Sequence, residues 1–150
     1  MASFLKNLFA QNDRPGSSTA RDPATRIRVA TCAILVEMAN SDDDFTDDER
    51  IHIIDVLKGR FSLTEGEAEE LIGVAERELD KSVDLYRFTN TIKENFSENE
   101  RVEVLEEIWR VVYTDGKLSG REDTLAHKLS FLLGLTHKQM IDAKLKAKNS

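Results

Sequence analysis

The chain has 150 residues, a net charge of −7, 40% hydrophobic and 33% charged residues, and one cysteine. That length suits a single domain with its own core, and the acidic balance argues against nonspecific binding of nucleic acid or anionic lipid, which needs clustered Lys and Arg. Cys32 alone excludes a disulfide framework and a cysteine-built zinc site, and the longest apolar run, Val29 to Met38, is broken by Thr31 and Glu37, far short of the roughly 18–20 residues that cross a bilayer. With no apolar signal segment before a small-residue cleavage site, the expectation is a cytoplasmic protein.

Residues 1–22 form a separate N-terminal segment. Phe4, Leu5, Leu8 and Phe9 would share one face of a short helix, and the polar, turn-rich stretch Gln11 to Ser18 reads as a linker. A tail, or a short helix docked on the body, is the plain reading. Peripheral membrane contact through residues 4–9 is the weaker one, because Lys6 is a thin basic complement.

Residues 23–150 form the helical domain. Helices are expected over about 23–40, 47–60, 65–80, 83–94, 98–114, 120–133 and 137–147. Asp22-Pro23 opens the first, with Pro at the first helical position. Thr46–Glu49, Thr64–Glu67, Ser97–Glu100, Ser119–Glu122 and Thr136–Gln139 all fit the capping box, in which cap and third residue satisfy each other's amides. Two helices are apolar most of the way round: the one with Ala33, Ile34, Leu35, Val36 and Met38, and the one with Leu105, Ile108, Trp109, Val111 and Val112. Such helices are central. The others carry single stripes, such as Ile51, Ile54 and Leu57, or Leu129, Leu132 and Leu133. No stretch alternates with period two. The fold class expected is all-α, one bundle of about seven helices around two central ones.

A shift of 73 residues lays Ser41 to Glu49 over Thr114 to Glu122, pairing Asp42 with Asp115, Phe45 with Leu118, Thr46 with Ser119 and Glu49 with Glu122. One deletion later Leu63-Thr64 falls on Leu135-Thr136. The chain thus reads as two duplicated helix–loop–helix–helix units joined by the segment around 81–96. Each loop can be a simple helix corner, with Asp43 or Gly116 ending one helix and Phe45 or Leu118 stapling the next. Glu49 and Glu122 would then be capping partners.

Charge strains that reading. Glu37, Asp42, Asp43, Asp44, Asp47, Asp48 and Glu49 place seven negative charges in thirteen residues without a Lys or Arg. Asp42 to Asp44 also follow a helix C-terminus, where the dipole disfavours anions. Crowded carboxylates cost stability unless a divalent cation or a basic partner neutralises them. An oxygen-only donor set points to Ca2+ or Mg2+ rather than zinc. The EF-hand pattern does not fit, since counting from Asp42 its twelfth position is Ile53 and its sixth is Asp47. His52, His127 and His137 form no H-E-x-x-H pair and read as surface or boundary histidines, and no phosphate loop or nucleophile elbow is present. An enzyme is not indicated.

At these two loops, S-D-D-D-F-T-D-D-E at 41–49 and T-D-G-K-L-S-G-R-E at 114–122, the sequence resembles the TerB-like family of tellurite-resistance-associated helical domains. Its signature is a duplicated A-D-G-x-(aliphatic)-x-x-x-E helix end, and the stretch Asp84 to Thr89 between the units is similar to the family's bacterial single-domain branch. The resemblance covers about residues 24–147. Ser41 and Thr114 replace the family's Ala, and Asp43 its first Gly. What the resemblance implies is a cytoplasmic, all-helical domain with metal-binding acidic loops, tied to tellurite and other chemical stress, with one relative fused to a J-domain in a membrane co-chaperone. Carried over by position, the candidate metal ligands are Asp42 and Glu49 in the first loop and Asp115 and Glu122 in the second. Asp44 joins them on the charge argument alone. The leading expectation is a non-enzymatic domain binding a divalent cation. The alternative is a metal-independent adaptor or co-chaperone-type module that binds a protein partner through its acidic face or N-terminal segment.

Overall fold

The computed structural model describes residues 23–41, 45–81, 85–114 and 120–149. The N-terminal segment 1–22 therefore lies outside the described residues, as does the proposed docking of Phe4, Leu5, Leu8 and Phe9. Within them the chain is helical: α1 (Pro23–Asn40), α2 (Asp47–Phe61), α3 (Glu65–Lys81), α4 (Leu85–Asn95), α5 (Glu98–Tyr113), α6 (Gly120–Leu132) and α7 (His137–Lys148). No strand occurs among the described residues, and none of the described helices is long and apolar enough to cross a membrane.

The two apolar helices are the central ones. α1 packs against α2, α3, α4, α5 and α6, and Cys32, Ala33, Ile34, Leu35, Val36 and Met38 on it are all fully buried. α5 contacts α1, α2, α6 and α7, with Leu105, Ile108, Trp109, Val111 and Val112 equally buried. The duplication appears in the packing as well. In the first unit α1 meets α3 over its greatest extent and α2 less, and in the second α5 meets α7 and α6 in the same order. α4 bridges the units, resting on α1 and α6.

Local chemistry ends the paired helices alike. α2 stops at Ser62 in the left-handed region (φ 56), and α6 stops at Gly134 (φ 75). At Gly134 the amides of Gly134 and Leu135 donate to the carbonyls of Phe131 (3.0 Å) and Ser130 (3.1 Å), the crossed pattern that satisfies a helix's last carbonyls. Leu63 and Leu135 then tuck into the core, and Thr64 and Thr136 open the next capping boxes. One expectation needs correction. Ile54 and Leu57 are buried as expected, but Ile51 is 57% exposed, and a second buried row of α2 runs through Glu49, Ile53 and Leu57. A four-residue step keeps residues on one helix face, and a glutamate occupies the first place in that row.

Candidate functional site

The first corner follows α1. Ser41 closes that helix by donating its amide (3.2 Å) and hydroxyl (2.8 Å) to the Met38 carbonyl. Phe45 lies half-buried against the core, with the Arg50 guanidinium 5.9 Å from its ring centroid. Thr46 caps α2: its amide (2.9 Å) and hydroxyl (3.1 Å) donate to Glu49 Oε1, while the Glu49 amide donates to Thr46 Oγ1 (3.1 Å). Asp47, Asp48 and Glu49 fill the first turn, where the helix dipole favours negative charge. Asp42 and Asp44, two of the sequence-derived ligands, lie outside the described residues.

The second corner follows α5. Thr114 caps that helix, its hydroxyl donating to the Arg110 carbonyl at 2.8 Å. Asp115 and the cap residue Ser119 lie outside the described residues, and α6 begins at Gly120 with Glu122 as its third residue. Trp109 and Tyr113 stack at 6.2 Å, and Lys144 holds its ammonium 5.2 Å from the Trp109 ring centroid and 3.9 Å from Asp123. Burial, together with the negative charge of Asp123, pushes the Tyr113 hydroxyl up from its ordinary pKa. This corner therefore carries a lysine beside Asp123, as the first carries Arg50 over Phe45.

Burial separates these two glutamates from their counterparts elsewhere. Glu49 and Glu122 are each 0% exposed. The equivalent third residues of α3, α7 and α5 are half-buried at Glu67 and Gln139 and exposed at Glu100. Those three boxes form the same reciprocal bonds without burying the carboxyl or amide group. Capping therefore accounts for the bonds of Glu49 but not for its depth. Both buried glutamates head core-facing rows, Glu49–Ile53–Leu57 and Glu122–Ala126–Ser130. That i, i+4, i+8 spacing was the signal available in the sequence, and it goes unnoticed when a glutamate is assumed to face solvent. No three His, Cys, Asp or Glu side chains among the described residues come together closely enough to hold a metal ion.

A second polar feature had no local sequence signal. α2 and α5 enclose an open groove of about 700 Å3 lined by His52, Asp55, Arg60, Glu103, Glu107 and Arg110. Arg60 reaches Glu103 at 3.2 Å, and Arg110 reaches Glu107 at 3.2 Å. Glu106 is 8% exposed and meets Lys146 of α7 at 3.4 Å. His127 and His137 lie on the surface as expected, while His52 lines this groove.

The comparisons agree with this architecture. The family model described as Tellurite resistance protein TerB matches residues 28–145. A crystal structure of a protein of unknown function from Porphyromonas gingivalis W83 is similar in fold, with a TM-score of 0.61 at 17% identity, covering 83% of this chain and 89% of that one. A comparison with curated proteins finds no match.

Proposed function

The chain belongs to the TerB family, and from that premise we propose that it is a non-enzymatic domain that binds a divalent cation, Ca2+ or Mg2+, at its acidic helix corners within a cytoplasmic stress response. The observation that carries this reading is the full burial of Glu49 and Glu122 at the same position of the two units. Two carboxylates held inside the fold at one repeated position mark both corners as built for charge rather than for capping alone. Thr46 supplies two hydrogen bonds to one oxygen of Glu49 and so fixes the direction of its carboxylate. In the first corner Asp42, Asp44 and Glu49 would hold the ion; in the second, Asp115 and Glu122. When bound, the cation supplies positive charge among crowded oxygens. Everything else falls to the chain, which aligns Glu49 through the capped first turn of α2 and sets Glu122 at the matching position of α6.

Protein interaction without metal is the second reading, favoured by Phe131, which is 80% exposed on α6. A Ca2+ titration followed by amide NMR distinguishes the two. Saturable shifts centred on residues 41–49 and 114–122 support cation binding. Unmoved amides at both corners leave the adaptor reading.

A further inference from the structure

His52 Nε2 on α2 and Glu107 Oε1 on α5 face each other at 3.4 Å. Both atoms are shielded from water, and neither makes a hydrogen bond to any described residue. Buried polar atoms are nearly always hydrogen-bonded, so a facing pair left unbonded asks for a reason. A neutral imidazole offers Oε1 either a lone pair, which repels it, or an N–H at a stretched distance. A protonated ring offers an N–H and a positive charge together, which shortens and strengthens such a bond. We propose that protonation of His52 clasps α2 to α5, making the seam between the two repeat units a pH-sensitive latch.

The surroundings leave His52 as the group that switches. Along α2 the groove also holds Asp55 and Arg60, and along α5 it holds Glu103, Glu106, Glu107 and Arg110, with Lys146 reaching in from α7 to Glu106. From the other helices packed on α2, Arg28 of α1 lies over Phe61, and Glu69 of α3 pairs with Arg50. Burial raises the Glu107 carboxyl, but the His52 contact and the Arg110 guanidinium outweigh it, so its pKa lies below the ordinary value. Histidine is the side chain whose charge ordinarily changes between pH 5 and 8. A proton on the His52 ring faces the Glu107 carboxylate across 3.4 Å.

The test is a double-mutant cycle in the full chain, using His52→Gln, Glu107→Gln and the pair, with melting midpoints at pH 5.5 and pH 8.0. The latch predicts that the two substitutions are non-additive by about 2–4 °C at pH 5.5 and additive at pH 8.0. Equal non-additivity at both pH values, or none at pH 5.5, overturns it. Should a variant fail to fold, ring 15N NMR of the unaltered chain serves instead. The latch requires the melting midpoint to fall as the His52 ring loses its proton, and a flat midpoint across that interval overturns it.

Discussion

Glu49 and Glu122 hold one position in two copies: each is the third residue of its helix, each is fully buried, and each heads a row of core side chains. Their burial gives the first prediction. Glu49→Ala strips the acceptor from the Thr46 amide and hydroxyl and opens a gap, and should cost about 1–3 kcal/mol. Glu100→Ala, at an exposed box, should cost about 0.5–1 kcal/mol. Chemical denaturation of both variants checks this, and equal losses would reduce Glu49 to an ordinary cap.

Cys32 should be inert in the native chain. It is fully buried, and burial pushes its thiol far up, with the negative charge of Glu76 adding to the effect and Arg50 only partly opposing it. The thiolate is the reactive form, so a disulfide-exchange reagent should label the protein only as fast as it opens. Rapid labelling of folded protein would remove Cys32 from the core.

The matched helix ends at Ser62 and Gly134 predict opposite responses. Gly134→Ala puts a Cβ into a left-handed residue, 3.0 Å from Arg101 Nη1 and 3.1 Å from Lys93 Cε, and should cost about 1–2 kcal/mol. Ser62→Gly relieves the same backbone at φ 56 and should raise the melting midpoint. A loss at Ser62→Gly would contradict the equivalence of the two ends.

Acid stability follows from Glu107. Burial raises its carboxyl, yet the contact with His52 and the charge of Arg110 prevail and hold it below the usual carboxylate range. Its folded value thus lies below the unfolded value of about 4.3, so the unfolded chain takes up the proton first. The ionised group contributes stability above the unfolded value, and that contribution is lost as pH falls through the folded one. Glu107→Gln should therefore be less stable at pH 7 and converge on the unaltered protein at strongly acid pH. Parallel melting curves from pH 7 to pH 2.5 would exclude this role.

Most of the fold was legible because its signals are local. Capping pairs such as Thr46–Glu49 and Thr136–Gln139 mark helix starts, and the apolar surround of α1 and α5 marks the centre. The repeat was legible because Asp42 and Asp115, and Glu49 and Glu122, share one spacing. Inward-facing charge had only the i, i+4, i+8 spacing to mark it, because burial itself is decided by packing between helices. Glu49 took the core place that the sequence pattern assigns to Ile51. The meeting of His52 with Glu107 depends on how α2 lies against α5, and no local spacing encodes it.

Cation binding is tested most directly by the melting midpoint with and without excess Ca2+ or Mg2+, for the unaltered chain and for Asp42→Asn with Glu49→Gln. A ligand at a hundredfold excess over its Kd stabilises the native state by about 2.7 kcal/mol. In a chain of 150 residues that is a rise of about 5–11 °C. The unaltered protein should show this rise. The double variant should lose it and, without metal, be slightly more stable because carboxylate repulsion is relieved. A midpoint unmoved by either cation, with a double variant that is less stable than the unaltered protein, would make the first corner a cap and not a site.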